Sequence, residues 1–439
     1  MKRSLKCLFL SAALILSAQV GFASSLDSVE SGEIPELRWR GNTIRIGIST
    51  SLTDQSPSIK RGSDVAAAIE RSLQRWADAA GINLQVFHTP LQNVSPSGPR
   101  GDGISLITIA STSENSLVFS KNGNHLPAAT RIFFDRSGNI SEADIVLNAS
   151  HQFSTDGTFG TYDLETVLMH EAGHLLGLDH SSTVGSLMWP QISRNGLFSV
   201  SSFFRRELLE HDIASVREIY GTNPDDEECC GSVEIIFAGR AGKLNDSAFI
   251  WLENAGSGKI FTTSSINSDL ESVRLRLVPE GTYNIYFSNT APEGISGGTM
   301  AGTLEVANGK TVAFAMGDVS VGNSSILIGL NGETTALSVP LNAGKTFTVS
   351  LVLADELQPL PILFSHSPFI VVDENNILLT KDPLGRSIAI FDVTVGSDAS
   401  AGAYSLCSVD RSGSEVCFPG VFTVSAYQNP WYKRDFSKY

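Results

Sequence analysis

From Thr43 the chain alternates apolar and polar positions, with Ile44, Ile46 and Ile48 set against Thr43, Arg45 and Gly47, which is the period of a half-buried strand. Val65, Ile69, Leu73 and Trp76 then recur at helical spacing, so a helix is expected with Ser63 as its cap and Gly81 as its stop. Strand-like runs follow at 82–88, 104–110, 130–135 and 143–148. A second helix is predicted over 164–176 and a third over 205–220. Strands first and helices interspersed read as one α+β domain over 43–223, a twisted mixed sheet plus three helices, preceded by a short segment at 24–42.

Gly221, Pro224 and Asp225-Asp226-Glu227-Glu228 make 224–230 an acidic linker. Beyond Gly231 no helical periodicity persists, and short apolar runs alternate with Gly, Asn and Ser turns at sandwich spacing. Runs at 232–237, 248–253, 273–277 and 282–287 fall in one all-β sandwich module, 231–318. Runs at 326–330 and 421–424 fall in a second, 319–427. The aromatic and basic tail 428–439 reads as an end that packs locally or frays. The change from mixed to all-β patterning leads to the expectation that residues 24–223 fold with a core of their own.

At the N-terminus, Lys2, Arg3 and Lys6 precede an apolar run ending in Gly21-Phe22-Ala23, which reads as a secretory signal peptide over 1–23 and a secreted, extracellular product. An uncleaved anchor is the rival reading, but the run is short for a span of about 20 residues and is diluted by Ser11, Ser17 and Gln19. No later segment is long and apolar enough to span a membrane. Export permits disulfides. Cys407 and Cys417 flank Asp410-Arg411-Ser412-Gly413, a hairpin tip, and could close one small loop; the partners of Cys229 and Cys230 stay open.

Composition narrows the class. With 42% hydrophobic and 18% charged residues the chain is too apolar to be mainly disordered, and a net charge of −15 argues against a nucleic-acid partner.

Chemistry concentrates in His170-Glu171-Ala172-Gly173-His174-Leu175-Leu176-Gly177-Leu178-Asp179-His180. His170 and His174, four apart, project from one helix face, near enough for both imidazoles to reach one ion. Glu171 can reach a water on that ion. Gly177 lets the chain leave the helix axis, so His180 can return as third ligand. Three ligands leave an open position, as a catalytic zinc requires. The other histidines, His88, His125, His151, His211 and His366, read as structural or solvated, with His151 and His125 in loops near the site.

His-Glu-x-x-His-x-x-Gly-x-x-His followed by Ser186-Leu187-Met188-Trp189-Pro190 resembles the metzincin signature with its Met turn. Leu178-Asp179-His180-Ser181 and Asp212-Ile213 to Ile219-Tyr220-Gly221 look like the matrixin, or matrix-metalloprotease-type, branch. The resemblance implies a metzincin-like α+β catalytic domain with His170, His174 and His180 as zinc ligands, Glu171 as general base and then acid, and Met188 as apolar floor. It implies a cleft-edge strand over 128–135, with Thr130, Ile132 and Phe134 along a peptide substrate, and a pocket wall from Trp189, Pro190 and the following loop, including Ile192, Leu197, Phe198, Phe203 and Phe204. The loop 111–127 lacks the ligands of a second, structural zinc, so one zinc is expected. Calcium is common in the family, but no Asp/Glu cluster here has a spacing that establishes it. There is no cysteine in 24–42 for a cysteine switch, and His211 stands where the family often has an Asp before Asp212. Residues 231–318 resemble, through Gly231-Ser232-Val233 and Pro279-Glu280-Gly281-Thr282-Tyr283, the transthyretin-like or carboxypeptidase-regulatory-like module beside many secreted peptidases; 319–427 looks immunoglobulin-like.

The expected activity is hydrolysis of peptide bonds in a protein or peptide substrate by a zinc-bound water that Glu171 deprotonates. The alternative is an exported adhesin or polymer-binding protein whose β modules bind a protein, glycan or cell surface while the metal domain is inactive; the intact Glu171 speaks against it. A purely structural zinc would need a fourth protein ligand, and no Cys or fourth His stands nearby.

Overall fold

The computed structural model describes residues 21–22 and 36–425, apart from 55, 97, 99, 120–124, 182, 197–205, 222–229, 238–247, 267–270, 290–293, 318–323, 331–333, 353–361, 382–384 and 410–412. Most of the acidic linker, residues 1–20 of the signal segment, the tail and the apolar residues Leu197, Phe198, Phe203 and Phe204 therefore lie outside the described residues.

In the N-terminal unit β1 (Gly21–Phe22) pairs with a distant short strand, and β2 (Arg38–Trp39), β3 (Thr43–Ser49), α1 (Thr50–Thr53), α2 (Val65–Ala80), β4 (Asn83–Thr89), β5 (Ser105–Thr108), α3 (Ser113–Leu117), β6 (Ala128–Phe134) and β7 (Asn139–Leu147) follow. Then come β8 (Phe153–Ser154), β9 (Tyr162–Asp163), α4 (Leu164–Leu175), β10 (Gln191–Ile192, the partner of β1) and α5 (Glu210–Tyr220). The sheet runs β2-β7-β5-β3-β4, parallel throughout, with β6 antiparallel to β7. It is the mixed sheet expected, with α1 and α3 added as single turns to the three long helices.

Local chemistry moves two boundaries. Asp64 caps α2, accepting from Ala67 N at 3.1 Å, while the Ser63 hydroxyl accepts from Thr155 N instead. Gly81 ends that helix in the left-handed region, as its sequence suggested. α5 starts five residues late because Arg206 turns away to Asp163 at the head of α4, and Asp212 accepts from Leu209 N at 3.0 Å. Trp76, fully buried, donates from Nε1 to Met169 O at 2.7 Å and so ties α2 to α4 over the sheet.

Among the described residues beyond Gly221 the regular elements are strands, apart from one short 3-10 turn at Glu374–Asn376. Sheets of Ser272–Val278, Gly231–Ile236, Thr311–Ala315 and of Ile260–Ile266, Ala248–Asn254, Gly281–Asn289, Thr299–Val306 enclose Val233, Ile235, Ile250, Leu252 and Ile285. A further pair of sheets, built largely on Thr346–Val352 with Ser387–Val395 and on Gly402–Val409 with Glu415–Val424, encloses Val349, Phe391, Leu406 and Phe418. The strand Ile295–Ser296, inside 231–318, pairs with Ser325–Leu330 of the next unit. Cys407 and Cys417 face each other across the last hairpin and are disulfide-bonded, closing the small loop that their spacing suggested. Cys230 is also in a disulfide. Among the described residues no helix is long and apolar enough to cross a membrane.

The N-terminal unit does not stand apart. Val184, 1% exposed, is part of the C-terminal core, and Leu209 packs with Phe249, Trp251, Ala403 and the Cys407–Cys417 pair where all three units meet. Leu37 to Val216 do supply a core of their own, as expected for 24–223, and Val184 and Leu209 add contacts with the β modules that the sequence did not suggest.

Candidate active site

α4 is buried along its whole length, so each of its polar side chains needs a partner or a ligand. Its head is fixed by Asp163, which accepts from Thr166 N at 2.9 Å and from Arg206 Nε at 3.0 Å. His170 and His174 lie one turn apart with ring centroids at 4.9 Å. At Gly177 (φ +96°) a Cβ would stand 2.3 Å from Leu37 O, so only glycine lets the chain turn off the helix there. The turn returns His180 to within 4.8 Å of the His174 ring and 5.4 Å of the His170 ring.

Hydrogen bonding sets which nitrogens face inward. His170 Nδ1 donates to Leu187 O and His174 Nδ1 to Leu178 O, each at 2.8 Å. Burial holds His174 below the usual imidazole range, and burial with the neighbouring His174 brings His180 down to about 3. Neutral rings that donate through Nδ1 leave Nε2 as a lone pair. The Nε2 atoms of His174 and His180 are 3.2 Å apart, close to the roughly 3.3–3.4 Å between two nitrogens on a tetrahedral ion at about 2.0–2.1 Å. Without an ion one ring must donate across that gap, whereas with Nε2 of each deprotonated the pair can share a cation, and ligand atoms of all three histidines lie within 4.8 Å of one another. The donor set therefore fits a zinc ion.

Glu171 is fully buried. Its Oε2 accepts from Thr130 Oγ1 at 2.6 Å, and its Oε1 has no hydrogen-bond partner. Burial pushes its carboxyl up to about 8 against the pull of the Thr130 bond. Met188 lies under the helix: a Cβ on Gly173 would stand 2.3 Å from its Sδ. Asp212 accepts from Ser186 Oγ at 2.6 Å and Leu187 N at 3.2 Å, while Ser186 Oγ accepts from Met188 N at 2.9 Å. Both Asp212 oxygens are thus engaged inside the fold, with buried His211 Nε2 3.5 Å from one of them.

The residues expected along the substrate divide differently. β6 is an edge strand paired with β7, but Thr130 turns to Glu171, and Ile132 and Phe134 pack against the core beside α4. What β6 offers a peptide is its backbone edge. Ile192, 2% exposed, belongs to the same core, while Trp189 is half-buried and packs against the C-terminal module and Pro190 is half-buried. His88 and His125 are exposed, and His151 sits edge-on to Tyr162. His366 lies with Glu415 beside Cys407 and Cys417, whose sulfurs are spent on each other. Thr130, Gly173, Ser186 and Asp212 are the supporting residues that the motif did not reveal. Gly173 carried a physical signal for its role, since a glycine inside a buried helix costs about 1 kcal/mol against alanine and so marks a close approach.

Residues 38–221 match the family described as Matrixin, and form a matrixin-like unit. Metalloendoproteinase 1 of Glycine max is 27% identical over 192 residues, covering 43% of this chain and 54% of that protein. Metalloendoproteinase 2-MMP of Arabidopsis thaliana is 27% identical over 195 residues, 43% of this chain and 44% of that protein. Interstitial collagenase of Oryctolagus cuniculus is 27% identical over 180 residues, 41% and 33%. The chain spans about half, or less, of the length of these relatives. Among solved structures, domains 4 and 5 of the S-layer protein SbsC match 35% of this chain and 69% of that one at 13% identity and a TM-score of 0.15, too slight a likeness to bear on the fold.

Proposed function

We propose that the protein is a secreted zinc endopeptidase, with His170, His174 and His180 holding the ion and Glu171 serving as proton carrier. The observation that carries this reading is the pairing of three converging imidazoles with a buried carboxylate that keeps one oxygen uncommitted. A zinc ion held there would supply a Lewis acid that acidifies water and polarises a peptide carbonyl.

The chain's own residues do the rest. Glu171 Oε1 takes a proton from the attacking water and later delivers it to the leaving amine, while Thr130 holds Oε2 and so fixes the carboxylate plane. The Leu187 and Leu178 carbonyls lock the ring orientations of His170 and His174. The open edge of β6 would pair with an extended substrate backbone. The middle and C-terminal modules, with boundaries near 231 and 319, would be the transthyretin-like and immunoglobulin-like appendages suggested by their sequence. Casein hydrolysis by the purified chain, lost with a chelator and restored by zinc, tests the activity, and sequencing of cleaved library peptides would give its preference. Hydrolysis that persists after zinc is removed would refute the reading.

A further inference from the structure

The turn that carries the His170 partner is held from two sides, and one side is the C-terminal β module. Val184 belongs to the same buried cluster as Val339, Leu341, Tyr404, Val421 and Phe422, and a Cβ on Gly420 would lie 3.3 Å from its Cγ1. Next to it Gly185 lies close against the same module: a Cβ there would lie 3.0 Å from Thr423 Cγ2, 3.1 Å from Ala403 Cβ and 3.4 Å from Gly420 O. The contact is reciprocal, since at Gly420 (φ +70°) a Cβ would stand 2.8 Å from Gly185 N and 3.1 Å from Thr183 Cγ2. Glycine is needed at Gly420 both for its backbone angle and for this approach. Trp189, after the Met188 floor, packs against the same core.

The second side is Asp212, which accepts from Ser186 Oγ and Leu187 N. Its own helix is seated on the β modules through Leu209, through the Lys259–Glu210 ion pair and through Ser425 Oγ, which donates to Glu207 at 3.2 Å. The turn is thus contacted from both sides, and it carries the Leu187 carbonyl that accepts from His170 Nδ1 at 2.8 Å. Only Gly185 and Ser186 separate Val184 in the module core from the residue that bears that carbonyl.

We propose that the C-terminal β module is a working part of the metal site, positioning His170 through the clamp of Gly420 and its neighbours on the 183–187 turn. The inference rests on the zinc reading above. Second contacts of this kind typically change metal affinity by about 10–100-fold, because they fix the ring and its tautomer. A module that only lent global stability would lower the melting temperature without altering affinity.

The test uses the full chain with three variants: Gly420→Ala, which presses on Gly185 N; Val184→Ala, a milder change that empties part of the socket; and Val393→Ala, fully buried in the same module but on its other sheet, paired with Phe347 and Val372. Zinc affinity is measured by competition with a chromophoric chelator, alongside melting temperature and the separate effects on kcat and KM. The expected result is a loss of zinc affinity of about tenfold or more in Gly420→Ala and Val184→Ala, with kcat falling more than KM. Val393→Ala should melt earlier at unchanged zinc affinity. Should Gly420→Ala fail to fold, Val184→Ala against Val393→Ala still decides. Equal zinc affinity in Val184→Ala and wild type overturns the proposal, and absence of zinc binding by the wild type overturns the metal reading beneath it.

Discussion

Thr130 on the edge strand and Glu171 on the buried helix are joined by a 2.6 Å hydrogen bond from the Thr130 hydroxyl to Oε2 of the carboxylate. The bond commits one oxygen to the scaffold and leaves the other for chemistry. It also favours the charged form, against the burial that pushes Glu171 up to about 8.

Replacing Thr130 by Val should keep the fold and the zinc content but lower kcat/KM by about tenfold, since a hydrogen bond to a charged group is worth about 1.5–3 kcal/mol and only part of that is realised in the rate. The acid limb of the pH profile should move upward, because the lost bond was lowering the Glu171 pKa. Ser at the same place should restore most of the rate. A Thr130→Val enzyme with unchanged kcat and unchanged acid limb would show the bond to be incidental.

Gly173→Ala sets two effects against each other. Alanine favours helix by about 1 kcal/mol, but its Cβ would press into Met188 Sδ, and overpacking a tight core costs typically about 1–3 kcal/mol. The clash should win, so the variant should melt earlier in differential scanning calorimetry. A gain in melting temperature would mean that Met188 moves aside freely.

Several elements were readable because their signal is local. The helix carrying His170 and His174 follows from four-residue spacing, and β3 from strict alternation of Ile44, Ile46 and Ile48. Gly177 announced itself as a hinge because only a few residue types tolerate its φ. Other features have no local signature. Nothing in Val184 distinguishes a residue of the N-terminal core from one seated in a module whose chain begins more than a hundred residues later, and Thr130 gives the same strand pattern whether it faces a peptide or Glu171. The acidic stretch after Pro224 marks a change of pattern, but nothing local announces the contacts that Leu209 and Val184 make with the β modules. Ser63 and Asp64 are both good caps, and the choice was made by Thr155, far along the chain.

His366 should give the fold a distinctive pH dependence. Its Nδ1 lies 3.0 Å from Glu253 Oε1 and its Nε2 3.1 Å from Glu415 Oε1, with Tyr286 Oη 3.1 Å from Nδ1, and the two carboxylates raise its pKa to about 10. A raised folded-state value stabilises fully below the unfolded pKa near 6.5, and the contribution is lost as pH rises through about 10. The gap in melting temperature between wild type and His366→Gln should therefore be largest at pH 6 and shrink steadily to pH 10. A gap that stays constant over that range would contradict the charged bridge.

The central claim is that Glu171 carries the proton in a zinc-dependent hydrolysis. The most direct measurement is peptide hydrolysis by Glu171→Gln at matched zinc content, because the amide keeps the shape and can still accept from Thr130 but cannot take the proton from water. The account predicts unchanged zinc binding and fold with kcat reduced by about 10²–10⁴-fold. Near-wild-type hydrolysis by the zinc-loaded variant would contradict it.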